Sequence, residues 1–168
     1  MENNLLEGLP VVCEILNKHG VEYLIIGGAA VALHGHPRYS MDAAGNVAEK
    51  SDFDFWYNPT YDNYYKLLDA IHELGEDVSL FRAEKAPDPK RSFFTINREK
   101  STIDLLPEVP GLGKFRTSFN NKVTSTIGEI TVPVISYEDL ITSKQKQGRS
   151  KDVEDIKQLN LRRGGRKK

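Results

Sequence analysis

Two aspartates one residue apart, Asp52 and Asp54, interrupt a run that otherwise reads as a buried strand, "SDFDFWY" at residues 51–57. Side chains on a strand alternate between faces. Both carboxylates therefore share one face, while Phe53 and Phe55 point the other way into a core. A third carboxylate, Asp104 in "STIDLLP", stands on one face of a second strand with Ile103 and Leu105 on the other. If the two strands are neighbours, the three carboxylates converge. Ionised carboxylates about 4 Å apart repel by about 1 kcal/mol even in water, and more at lower dielectric. A cation offsets that repulsion. Oxygen-only donors suit Mg²⁺ or Mn²⁺, which keep several waters and accept substrate phosphates as further ligands. A single D-x-D pair is also a common strand-end feature, where aspartates face solvent or cap turns.

Gly27 and Gly28 follow the apolar run "VEYLII" and precede "AAVALHG". A strand, two glycines and a helix start allow close backbone approach, with N–H groups aimed at an anion. No Gly-Lys-Ser/Thr follows, so this is not a P-loop, and the G-x-G-x-x-G dinucleotide fingerprint is absent. An ordinary tight turn is the alternative. Other residues have plainer readings than catalysis. His34 and His36 flank Gly35 without a third nitrogen or sulfur donor nearby, as helix-end or surface histidines do. Trp56 shares the carboxylate face, where it packs at a strand end or stacks on a base. Tyr57, Tyr61, Tyr64 and Tyr65 read as core and helix-face packing, with an acceptor-binding wall as the second reading. Lys144 and Lys146 read as solvated helix charges.

The elements that must position these groups follow from periodicity and punctuation. Apolar residues at helical spacing from Leu5 to Leu16 predict a helix ended by His19-Gly20. "VEYLII" predicts a strand, Gly27-Gly28 a tight turn, and "AAVALHG" a short helix stopped by Gly35 and Pro37. After the strand at 51–57, Thr60 is a candidate cap for a helix through Leu74, closed by Gly75. "VSLFRA", "SFFTINR" and "STIDLLP" are expected strands, and "GLGKF" a loop. "KVTSTIGEITVPVI" predicts a hairpin turning at Gly128-Glu129. Ser136 with Asp139 matches a capping box opening a helix that Gly148 ends. Ser150 opens a last short helix. The order implies a mixed α/β (α+β) fold, with a largely antiparallel or mixed sheet flanked by helices.

The 168 residues fit one domain, expected over residues 1–160, with a basic and disordered tail at 161–168. A formal net charge of −1 provides no global attraction to nucleic acid or anionic membrane. Cys13, the one cysteine, excludes an intrachain disulfide and reads as a buried, inert thiol. No signal peptide and no apolar run near the ~20 residues that span a bilayer is present, so a cytoplasmic protein is expected.

Together, "GGAAVALHGHPR", "SDFDFW", "STIDLLPEVPG" and "VPVISYEDLITSKQKQGRSKDVEDIKQL" resemble the nucleotidyltransferase superfamily with the DNA polymerase β-like fold. The likeness is greatest to small prokaryotic members, including toxins of the AbiEii type, and runs from about Val21 to Leu159. It implies that Gly27 and Gly28 hold nucleotide phosphates, that Asp52 and Asp54 are paired ligands of two Mg²⁺ or Mn²⁺ ions, and that Asp104 is the third carboxylate. It also places the family's active lysine on Lys144, and its C-terminal motif on Arg149, Lys151, Asp152 and Asp155. Arg38 matches a basic residue that usually lies just before the aspartate pair. Here "YSMDAAGNVAEKS" separates them, an apparent inserted loop. Asp42 in that loop is rejected as first carboxylate, because it lacks strand character and an acid at i+2. The implied reaction moves a nucleoside monophosphate from a nucleoside triphosphate to an acceptor hydroxyl, with release of pyrophosphate. The acceptor is a transfer RNA or other nucleic-acid end, a small molecule or a protein side chain, and an antitoxin partner is possible for a toxin. A catalytically silent binding or regulatory module and a metal-dependent phosphohydrolase are the alternatives.

Overall fold

The computed structural model describes residues 6–35 and 50–166. Residues 36–49, which hold His36, Arg38, Asp42 and most of the inserted segment, lie outside the described residues. α1 (Leu9–Lys18), β1 (Tyr23–Ile26) and α2 (Gly27–Leu33) lead to β2 (Ser51–Tyr57) and α3 (Tyr61–Glu73). α4 (Ser79–Ala83) and a 3₁₀ turn (Pro89–Arg91) precede the hairpin of β3 (Phe94–Asn97) and β4 (Ser101–Leu106). α5 (Phe115–Asn120), the hairpin of β5 (Val123–Ile127) and β6 (Ile130–Val134), α6 (Tyr137–Gln147) and α7 (Ser150–Arg166) complete the chain.

The six strands form one mixed sheet in the order β3-β4-β2-β1-β6-β5. β1/β2, β3/β4 and β5/β6 pair antiparallel, and β2/β4 and β1/β6 pair parallel. The mixed, largely antiparallel sheet expected from the sequence is thus present. Phe53 and Phe55 enter the core on one side of β2 together with Leu9, Val12, Cys13 and Leu16 of α1 and Tyr64, Leu67, Leu68 and Ile71 of α3.

Short-range signals act as expected at several ends. The Thr60 hydroxyl accepts from the Asn63 amide, and the Ser136 hydroxyl from the Asp139 amide. Gly148 ends α6 at φ 63°. Asn63 ties α3 to the sheet. Its side chain accepts from the Glu22 amide at 2.7 Å and donates to the carbonyls of Glu22 at 3.0 Å and Asn58 at 2.9 Å.

Four local expectations are corrected. Gly27 and Gly28 do not form a separate turn, because they are the first two residues of α2. "VSLFRA" supplies a helix, α4, instead of a strand. The Asp77 carboxylate accepts from the Ser79 amide at 2.9 Å, a local turn that starts a helix. The expected loop "GLGKF" stands over residues 111–114, but its last residue, Phe115, opens α5, where Phe115 and Phe119 stack at 5.1 Å, one helical turn apart. Helix α7 runs on to Arg166, into the segment expected to be disordered. Arg163 anchors it there, lying over the Tyr137 ring and 2.9 Å from Glu138.

Candidate active site

The carboxylates meet where β1, β2 and β4 lie side by side. Asp54 stands directly opposite Asp104 in the parallel β2/β4 register and opposite Ile26 in the antiparallel β1/β2 register. Neighbouring strands lie about 4.8 Å apart, so two carboxylates on one face at the same level are in contact range. Asp52 stands two residues earlier on the same face, opposite Thr102, and is exposed. Asp54 and Asp104 are half-buried. Among the described residues no three His, Cys, Asp or Glu side chains are drawn together as a metal-holding set. Two of the three expected carboxylates are therefore in direct lateral register, and the exposed Asp52 acts on Asp54.

The electrostatics record the crowding. The Asp54 carboxyl is pushed up from 3.8 to about 6, first by burial and then by the charges of Asp104 and Asp52. Lys151 at the start of α7 works in the opposite direction. Asp104 is oriented by β3, whose Thr95 hydroxyl donates to its Oδ1 at 2.8 Å.

Gly27 closes the site from the β1 side. Its φ is +63°, and a Cβ built there would sit 2.5 Å from Asp54 Oδ2 and 3.3 Å from Asp54 Cβ and Cγ. Any side chain would strain the backbone and strike the carboxylate. The close approach at Gly27 is to the Asp54 carboxylate. Gly28 follows in the first turn of α2, half-buried.

The basic residues divide. Lys144 is only 3% exposed, with its Nζ 3.2 Å from Asp152 Oδ1 and 2.9 Å from Asp155 Oδ2. The ammonium expected at the nucleotide is thus enclosed between α6 and α7, because α7 brings two carboxylates onto it. Arg149 donates to the same Asp152 from its amide and guanidinium. Burial pushes Asp152 up, but Arg149 and Lys144 overcome it and hold the carboxyl below the usual carboxylate range. Lys151 is exposed, and among the described residues it is a cation whose charge acts on Asp54. Sequence reasoning placed it in a motif without that role, and its spacing one residue before a buried aspartate was the available signal.

The remaining candidates take structural places. Trp56 is buried, donates from Nε1 to the Pro107 carbonyl at 3.1 Å and meets Phe115 edge-on. Tyr57 donates to the Pro89 and Ser92 carbonyls, Tyr64 is buried, and Tyr61 and Tyr65 are exposed. The His34 ring donates to the Ile135 carbonyl at 2.8 Å. Lys146 is exposed, and Gly111 packs so close to it that an added Cβ would lie 2.8 Å from Lys146 Cβ. A cavity of about 460 Å³ lined by His34, Tyr137 and Arg162 lies toward the far end of α7 from Lys151, so it is not part of the carboxylate site.

The solved structure of a lincosamide antibiotic adenylyltransferase, LnuA, bound to lincomycin, is similar in fold. Its TM-score is 0.57 at 16% identity, over 90% of this chain and 94% of that one. An antigenic nucleotidyltransferase-like protein from Paracoccidioides brasiliensis gives a TM-score of 0.47 at 18% identity, over 94% of this chain and 75% of that one. Among curated proteins none matches the chain. The arrangement is that of a nucleotidyltransferase, an enzyme class. The family described as "Nucleotidyl transferase of unknown function (DUF2204)" matches residues 5–166, and the chain belongs to it.

Proposed function

We propose that this enzyme transfers a nucleoside monophosphate from a nucleoside triphosphate to an acceptor hydroxyl, releasing pyrophosphate, at the patch formed by Asp52, Asp54 and Asp104. The observation that carries this reading is the in-register pair Asp54 and Asp104, with the bare backbone of Gly27 against Asp54. Oxygen donors that repel each other and hold a proton up to about pH 6 fit a hard divalent cation, Mg²⁺ or Mn²⁺, with Asp52, Asp54 and Asp104 as its protein ligands. When bound, such ions neutralise the charge on the reacting phosphate and lower the pKa of the attacking hydroxyl.

The chain's own groups supply the rest. Asp104, held by Thr95, is the carboxylate proposed to receive the acceptor proton. Gly27 and Gly28 let the nucleotide phosphates approach the main chain. Lys151, supported by Arg149, offers positive charge to the β- and γ-phosphates, the role expected of Lys144. Arg38 remains a proposed phosphate contact. The acceptor of LnuA is an antibiotic, so a small molecule stands beside a nucleic-acid end or a protein side chain as acceptor here.

The test is incubation with each of four nucleoside triphosphates labelled in the α-phosphate, with Mg²⁺ or Mn²⁺, a cell lysate and a panel of hydroxylated antibiotics. Labelled acceptor and stoichiometric pyrophosphate are expected. Labelled nucleoside monophosphate without labelled acceptor would instead indicate a phosphohydrolase. The segment that separates Arg38 from Asp52 in the sequence favours a second reading, a silent nucleotide-binding module. That module would bind nucleotide and release no pyrophosphate.

A further inference from the structure

The cavity of about 460 Å³ is large enough to hold a small molecule, since such sites run from roughly 300 to 1,000 Å³. Four parts of the fold line it: His34 after α2, Asn121 and Val123 around the start of β5, Tyr137 of α6, and Leu159 and Arg162 of α7. It stands apart from the carboxylates. α2 carries the chain about 10 Å from Gly27 to the cavity wall, and Arg162 lies about three helical turns beyond Lys151.

The walls are fixed by their own contacts. The His34 ring donates to the Ile135 carbonyl at 2.8 Å and meets the Tyr137 ring edge-on at 6.2 Å. The Tyr137 hydroxyl donates to the Asn160 side chain. Arg163 lies over the Tyr137 ring at 4.3 Å and donates to Glu138 at 2.9 Å. The Ser136 hydroxyl accepts from the Asp139 amide at 3.1 Å. The acceptors around the cavity are thus already engaged. Donors remain: among the described residues neither the Arg162 guanidinium nor the Asn121 side chain has a hydrogen-bonding partner. With His34 neutral, Arg162 and Arg163 against Glu138 leave one positive charge uncompensated on the lining. Apolar surface stands beside those donors. Val123, on the end strand of the sheet, is 44% exposed, and Leu159 is buried at the cavity floor. An inorganic anion would leave this apolar wall uncovered, and a hydrocarbon would leave the guanidinium unmatched. A ligand with an anionic group on an apolar body matches both.

We propose that this cavity is a second ligand site, separate from the carboxylate patch, that takes a small organic anion. Its charged group meets Arg162 and Asn121, and its apolar body lies against Val123, Leu159 and the Tyr137 ring. The site does not depend on the nucleotidyl-transfer reading.

The test is a fluorescence titration of the full chain with anilinonaphthalene sulfonate, an aromatic sulfonate, and with phenylnaphthylamine, its uncharged counterpart. One equivalent of the sulfonate is expected, bound at least about tenfold more tightly than the uncharged probe, the scale of one charge-assisted hydrogen bond. Arg162→Ala should weaken the sulfonate about tenfold and leave the uncharged probe unchanged. Val123→Asp should weaken both. Arg162 and Val123 are exposed, so these variants keep the fold, and circular dichroism checks it. Should Arg162→Ala not fold, Arg162→Gln makes the same comparison. Amide shifts in nuclear magnetic resonance should gather at His34, Val123, Tyr137 and Leu159, and inorganic tripolyphosphate should not displace the sulfonate. Several equivalents bound, equal affinity for the two probes, wild-type affinity in Arg162→Ala, or shifts centred on Gly27 and Asp54 would each overturn the proposal. The titration requires no turnover, so its failure leaves nucleotidyl transfer standing, and a chain that transfers no nucleotide still answers it.

Discussion

Replacing Asp54 with asparagine separates the cost of the carboxylate patch from its use. In the absence of divalent cation the Asp54 carboxyl is raised from 3.8 to about 6, by burial and by the charges of Asp104 and Asp52. The folded protein then holds a proton that the unfolded chain has released. The resulting stabilisation is complete below the unfolded value, shrinks as pH rises through about 6, and is absent above it. About two pH units at about 1.4 kcal/mol each set a ceiling of about 3 kcal/mol. Solvent reaches this half-buried site, so about 1–2 kcal/mol is the realistic loss. Asparagine carries no charge at any of these pH values, and its amide can donate to Asp104. In EDTA, the melting temperature of Asp54→Asn should match wild type near pH 4 and exceed it by about 2–8 °C at pH 8, using about 2–4 °C per kcal/mol for a chain of this size. Nucleotidyl transfer by the variant should fall at least about a hundredfold, the usual scale for a lost charge-bearing group in a reacting site. Differential scanning fluorimetry across pH and pyrophosphate release are the assays. A melting difference that stays constant from pH 4 to pH 8 would refute the crowding of Asp54, and wild-type turnover would refute its catalytic role.

Gly27→Ala should lower unfolding free energy by about 1–3 kcal/mol in denaturant titration, from left-handed backbone and the contact with Asp54, and should impair transfer. Gly28→Ala, outside the left-handed region, should cost far less stability. Asn63→Ala removes the partner of three main-chain groups at the start of α3, and a loss of about 3 kcal/mol is expected from the urea midpoint. Cys13 is buried and its thiol is pushed up to about 12, chiefly by burial, so iodoacetamide at pH 8 should label it only as fast as the protein unfolds.

Much of this enzyme was legible in the chain alone because the signals are local. The Thr60 and Ser136 caps, the hairpin at Gly128 and the strand at 51–57 each depend on neighbours within a few residues, and all stand as expected. Alternation along β2 placed Asp52 and Asp54 on one face for the same reason. Where local preference was ambiguous the reading failed. Residues 79–83 have apolar and polar types suited to either state, and the Asp77 turn decides for a helix. The pairing of Asp54 with Asp104, 50 positions later, follows from strand order, which places β4 beside β2 through a crossover that no short segment specifies. The same is true of Lys144 and Lys151. Both are lysines near one helix turn, and only the packing of α7 on α6 buries the first against two carboxylates and leaves the second exposed, its charge acting on Asp54. Residue type and spacing determined which groups could do chemistry. The three-dimensional neighbours of each charge determined which of them are enclosed by partners and which stay open to solvent, because burial and Coulomb interaction depend on distance in space and not along the chain.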